Sequence, residues 1–174
     1  MLGNDVVDLK LAKQQIRWNT KAFQQKVLHP KEMNQYNSSP LCYNDFWKIW
    51  SIKETAYKAH QRNKNHRPKF NPFDFSVEIN SSTSSKVILD NYEYNIISFV
   101  TDKYIYSYTA SNDVYSVQNF DLNLKNTFYN EGLKRQYLNN RVIKNEYGIP
   151  FLLENNKAVP ISITHHGSYF AYLR

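Results

Sequence analysis

A chain of 174 residues, 41% of them hydrophobic, is long enough for one domain with a real core. Four glycines leave no room for a glycine-rich phosphate loop or a dinucleotide fingerprint, and one cysteine, Cys42, excludes an internal disulfide and any multi-cysteine metal site. The net charge of +7 favours an anionic partner (nucleic acid, an anionic cofactor or an acidic protein) without choosing among them. No apolar run reaches the length of a membrane span, and Met1 to Asp5 lacks the charged start and apolar core of a signal peptide, so a cytoplasmic protein is expected.

Leu2 to Leu9 reads as a short first strand, with Asp5 and Val7 on one side and Asp8 on the other. Asp5 is then an acid on a strand otherwise made for burial. The ordinary alternatives are a turn aspartate or, for Asp8, an N-cap of the next helix. Lys10 to Leu28 reads as helix, with Leu11, Trp18, Phe23 and Val27 as core candidates. Pro30 fits the first turn of a second short helix with Glu32 near its positive end. Ser38-Ser39-Pro40 is a loop.

Phe46 to Lys58 has the strongest helical pattern in the chain. Phe46, Ile49, Trp50 and Tyr57 lie along one face, and Asn44 or Asp45 can cap its start. Trp47, Trp50, Glu54 and Lys58 form a second stripe beside it. A carboxylate at the edge of an aromatic wall needs a partner, and a metal ion or a cation is the natural one. The bland alternative is a Glu54–Lys58 ion pair on a solvated face. The following stretch, His60 to Pro72, carries Arg62, Lys64, Arg67 and Lys69 and no acid. It reads as a loop, either solvated or in contact with phosphate or an acidic partner.

Phe73 to Gln118 alternates with period two, predicting an antiparallel meander with one tyrosine-rich face at Tyr104, Tyr106 and Tyr108. Alternating Tyr is more often a half-buried sheet face than a base-stacking platform. A further helix is predicted from about Glu131 to Tyr147, ended by Gly148-Ile149-Pro150. Val159 to Arg174 gives two strands joined at His165-His166-Gly167, where the histidine pair alone is weak evidence for zinc.

Three stretches together resemble the 4′-phosphopantetheinyl transferase superfamily. Gly3 to Leu9, G-N-D-V-V-D-L, is similar to the family's opening G-x-D strand. Trp50 to Lys58, W-S-I-K-E-T-A-Y-K, resembles its W-x-x-K-E-[AS]-x-x-K helix. Ser162 to Gly167, S-I-T-H-H-G, looks like its S-x-S-H strand end with Thr164 in place of the second Ser. Val27 to Tyr36 also resembles a segment of holo-acyl-carrier-protein synthases. Val7 stands where larger members carry a further acid, and the chain has one K-E helix, so it resembles the small synthase type.

The resemblance implies an α+β fold, an antiparallel sheet packed against a long central helix. It implies a single domain over 1–174 with an inserted β-meander at about 73–118. It implies transfer of the 4′-phosphopantetheine arm of coenzyme A to a serine of an acidic acyl or peptidyl carrier protein, as in fatty acid biosynthesis, with release of 3′,5′-ADP. Asp5 and Glu54 would hold Mg2+. Lys58 would contact the pyrophosphate with Lys53 in support, and His165 would bind a coenzyme A phosphate. The Arg62–Lys69 stretch would meet coenzyme A or the carrier. Glu54, directly or through a metal-bound water, would take the serine proton. The site would lie between subunits of a homo-oligomer such as a trimer, although the insertion leaves a self-sufficient monomer open. The competing readings are a basic nucleic-acid-binding module and an inactive relative that only docks carrier proteins. Nucleic acid and membrane are not expected.

Overall fold

The opening motif folds as a strand. In the computed structural model, which describes residues 1–15, 17–36, 41–110, 118–121 and 142–174, β1 (Asn4–Asp8) is buried along its whole length. It pairs antiparallel with β5 (Tyr104–Thr109), with Asp5 opposite Ser107. Next to β5 come β4 (Tyr92–Val100), β3 (Ser84–Leu89) and β2 (Ser76–Ile79), giving one sheet in the order β1-β5-β4-β3-β2. The strands that alternation predicts are therefore present, after a short 3-10 turn at Pro72–Asp74.

Against this sheet lies α4, Tyr43–Lys64, whose buried Phe46, Ile49, Ile52, Ala56 and Ala59 face β1, β4 and β5. The strand start and the helix touch backbone to backbone at Gly3. A Cβ there would fall onto the carbonyl oxygen of Thr55 and crowd Ala59, so the first residue of the G-x-D motif has to be glycine. Two expectations need correction. The cap is Cys42, whose Sγ accepts the Asp45 N–H at 3.4 Å; Asn44 and Asp45 already lie in the first turn. And the helix continues past Lys58 to Asn65, whose left-handed φ of 49° closes it. No Gly or Pro interrupts the run to Lys64, so Arg62 and Lys64 are helical rather than in a loop.

The helix expected over Lys10–Leu28 is divided into α1 (Leu9–Ala12) and α2 (Lys21–Val27). Each has its own cap. Asp8 Oδ1 accepts the N–H groups of Lys10 and Leu11, and Thr20 Oγ1 accepts that of Phe23. Val27 is buried and Trp18 and Phe23 pack against the core, but Leu11 is exposed. α3 (Pro30–Gln35) begins at proline as expected, with a capping box between His29 and Glu32. Residues 38–40 lie outside the described residues, as does most of the helix expected over Glu131–Tyr147. Its described end is instead β7 (Val142–Lys144), in which Ile143 is exposed.

β7, β8 (Pro150–Glu154) and β9 (Lys157–Pro160) form a small sheet, and β10 (Ser162–His166) and β11 (Tyr169–Leu173) form a hairpin, with β6 (Gln118–Asp121) beside β11. The hairpin covers the tyrosine-rich face of the first sheet. Val6, Tyr106 and Ala171 pack there with Tyr104, Tyr108 and Tyr169. It also meets the outer edge of β1. Gly3 bonds to Thr109 of β5 and Leu9 to Lys103 just before it, so the N–H groups of Asn4, Val6 and Asp8 point the other way. Side chains of β10 accept all three: Ser162 Oγ at 3.1 Å, Thr164 Oγ1 at 3.1 Å and His166 Nδ1 at 2.8 Å. His166, without a role in the sequence reading, thus caps a strand edge. Among the described residues no helix is long and apolar enough to cross a membrane.

Candidate active site

β1 and α4 bring three of the expected residues together. Asp5 faces α4, where Glu54 and Lys58 sit one turn apart. Lys58 Nζ donates to the Asn4 carbonyl at 2.9 Å and lies 3.3 Å from Asp5 Oδ1, but 3.8 Å from Glu54 Oε1. The i, i+4 pair exists, yet the shorter contacts of Lys58 go to the strand. Asp5 Oδ1 also accepts the Thr164 hydroxyl at 3.0 Å. Asp5 Oδ2 is buried without a hydrogen-bond partner.

These groups border a cleft of about 290 Å³, lined by Asp5, Glu54, His165, His166, Gln15 and the indoles of Trp47 and Trp50. The aromatic wall displaces water from Glu54. Burial pushes its carboxyl up to about 7; the charge of Asp5 pushes the same way, and Lys58 opposes both. His165 moves in the other direction. Burial, then Lys58 and His166, bring it down to about 4, so its imidazole is neutral near pH 7.

The Glu54 shift carries a sign that can be checked. Its folded value lies above the unfolded 4.5, so the folded chain binds more protons between the two. The stability this gives is complete below 4.5 and is lost as pH rises through about 7. In metal-free melting, Glu54→Gln should therefore gain stability relative to the parent as pH rises through that window.

Two expected residues are not brought to the cleft. Lys53 is fully buried on another side of α4. Its ammonium pairs with Glu32 at 2.7 Å and donates to the carbonyls of Val27 and Pro72, so it is not available to a phosphate. Arg62 donates through Nε and Nη2 to the Ile161 carbonyl and through Nη1 to that of Lys58. Burial lowers it to about 10, and it ties α4 to the residue before β10. Both side chains are thus engaged by contacts within the fold, away from this cleft.

The sequence reading gave Glu32 only a place near a helix end. Its carboxylate accepts the N–H of His29 and Val77 as well as Lys53. It also missed the contact of Thr164 with Asp5. The alternation of Ser162, Thr164 and His166 was a usable signal, since period two places all three on one side of a strand.

Asp5 and Glu54 are the residues that could hold a cation. An unpartnered carboxylate oxygen beside a second carboxylate fits a hard divalent ion that takes further oxygens from water or substrate. Among the described residues no group of three or more His, Cys, Asp or Glu is arranged for a metal.

A family model described as the 4′-phosphopantetheinyl transferase superfamily matches residues 1–114, including Asp5, Glu54 and Lys58. Searches of curated proteins and of solved structures gave no match. The β10 motif lies outside the matched span, but the fold lays it against the matched strand β1. With more than half of the chain matched, and with two carboxylates and a lysine gathered at the β1–α4 junction, the chain belongs to the 4′-phosphopantetheinyl transferase superfamily.

Proposed function

We propose that this protein is a small, holo-acyl-carrier-protein-synthase-type enzyme. It transfers 4′-phosphopantetheine from coenzyme A to a serine of an acidic carrier protein and releases 3′,5′-ADP, with Mg2+ as the metal. The observation that carries the reading is the pairing of Asp5 and Glu54 in one cleft, with Asp5 Oδ2 buried and unpartnered.

Asp5 and Glu54 would hold the Mg2+, which would neutralise charge on the pyrophosphate oxygens. The serine oxygen forms a bond to the phosphorus that carries the pantetheine arm, and the bond from that phosphorus to the bridging oxygen breaks. Lys58 keeps its contacts with the Asn4 carbonyl and Asp5 and offers its third N–H to a pyrophosphate oxygen. Neutral His165 donates one ring N–H to a phosphate oxygen rather than a full charge. Glu54, directly or through a water, accepts the serine proton. The net charge of +7 speeds the encounter with an acidic carrier and with coenzyme A. Burial of Tyr106 and packing of Tyr104 and Tyr108 under the hairpin favour this reading over a nucleic-acid platform.

The test is the intact mass of an apo-carrier protein after incubation with this protein, coenzyme A and Mg2+, with an EDTA control. A gain of one phosphopantetheine arm that disappears with EDTA is expected. No gain across fatty-acid, polyketide and peptide carriers would overturn the reading.

One observation bears on the subunit arrangement. Asp5, Glu54 and His165 border the same cleft of a single chain, which supports a self-sufficient monomer over a trimer with shared sites. Light scattering should give the mass of one chain under conditions where transfer proceeds. A trimer whose activity collapses on dilution into monomers would reverse this.

A further inference from the structure

The three side chains of β10 that cap β1 are not equivalent. Ser162 and His166 accept the N–H groups of Asn4 and Asp8. Thr164, between them, accepts the Val6 N–H at 3.1 Å and also donates its own proton to Asp5 Oδ1 at 3.0 Å. It is 3% exposed, so little water competes for either bond. A hydroxyl has one proton and rotates freely until something fixes it. Here the Val6 N–H takes a lone pair, and the proton is left to point at the carboxylate.

Asp5 Oδ1 thus receives two donors, Thr164 Oγ1 and, at 3.3 Å, Lys58 Nζ. A partial turn of the carboxylate about its last torsion loses both, and a half-turn only exchanges two equivalent oxygens. Its other oxygen, Oδ2, keeps its full acceptor capacity in a buried setting. Outer-shell partners of this kind set the orientation, and so the affinity, of a ligating group.

We propose that Thr164 is a positioning residue that fixes the Asp5 carboxylate for a divalent cation, so that the cation site is completed by the C-terminal hairpin and not by β1 and α4 alone. This rests on the reading that Asp5 and Glu54 hold such a cation. It gives the threonine of S-I-T-H-H-G a task inside the protein, facing Asp5.

The test is binding of Mn2+ to the full chain without coenzyme A, followed by electron paramagnetic resonance of the free ion. Thr164→Val keeps the shape and removes the hydroxyl, and should weaken Mn2+ about tenfold. Thr164→Ser keeps the hydroxyl and should stay within about twofold of the parent. Ser162→Ala is the matched control. It uncaps the Asn4 N–H but has no bond to Asp5, so it should lower the melting temperature while leaving Mn2+ affinity unchanged. If Thr164→Val does not fold, Thr164→Cys, with a weaker donor of similar size, replaces it. Asp5→Asn separates the two levels of the argument. Loss of Mn2+ in Asp5→Asn with full affinity in Thr164→Val would overturn the positioning role alone. Full affinity in Asp5→Asn would overturn the carboxylate site as well. A Ser162→Ala variant as weak as Thr164→Val would mean that edge capping in general, and not the Asp5 contact, sets the affinity.

Discussion

Glu54→Gln should reduce transfer to a carrier protein by at least about 10³-fold while leaving the chain folded. The amide has nearly the shape of the carboxylate, so the aromatic wall of Trp47 and Trp50 stays filled. What changes is charge. Gln cannot ligate a hard cation as a carboxylate does, nor accept the serine proton. The same substitution should help the metal-free protein above pH 7. There the parent holds an ionised carboxylate in a setting that favours its neutral form, with Asp5 nearby, whereas Gln has no charge to desolvate. The expected pair of results is therefore no mass gain on the carrier and a melting temperature at pH 8 equal to or above the parent's. Below pH 4.5 the two melting temperatures should converge, because the parent's Glu54 is then protonated both folded and unfolded. Adding Mg2+ should stabilise the parent more at pH 8 than at pH 6, since the ion competes with a proton for Glu54, and should do little for the variant. Transfer at the parental rate would remove Glu54 from the chemistry. Collapse of the variant at pH 8 would mean that its charge serves the fold.

The parts of this site that the sequence discloses are those whose placement is local. Asp5 lies on a strand of fixed alternation, and Glu54 and Lys58 are one helical turn apart, so each has one plausible face. Gly3 announces a close approach. Lys53 and Arg62 are different. Position 53 is about 100° around the helix from position 54, on the side the sheet and α3 bury. A lysine can sit there only because Glu32, brought by a separate helix, meets it. That contact spans a turn of the chain that no spacing rule describes. Thr164 and Asp5 are 159 positions apart; alternation shows which side Thr164 occupies but not which edge it will meet. The divided first helix had its signals in Asp8 and Thr20, but the apolar spacing of Leu11, Trp18 and Val27 outweighed them. Cys42 as a cap had no clear signal, since sulfur is a weak acceptor rarely used there.

Lys53→Met should be among the most destabilising single substitutions in the chain, and for a reason unconnected with coenzyme A. Lys53 and Glu32 are 0% and 1% exposed, and their charges meet at 2.7 Å. Burial pushes Glu32 up and Lys53 down, and each charge counters the other's shift. Methionine fills the space of the lysine stem but leaves Glu32 without its cation, in a place where water is scarce. Breaking such a pair costs about 3–5 kcal/mol. For a chain of this length that is a fall of about 10 °C in melting temperature. The damage should depend on pH. Without Lys53 the Glu32 carboxyl rises further above its unfolded value, so the variant keeps more stability in acid and loses it as pH climbs. Its deficit should be smaller at pH 5 than at pH 8. Adding Glu32→Gln should recover part of the loss, because a neutral amide leaves no unpaired buried charge. The double variant should then be more stable than the sum of the single losses. A lysine that served coenzyme A would behave otherwise: the substitution would raise KM for coenzyme A, leave the melting temperature alone, and gain nothing from a change at Glu32. The fold places Lys53 beneath α3 and not in the cleft, and the KM for coenzyme A of whatever Lys53→Met protein remains folded should match the parent's.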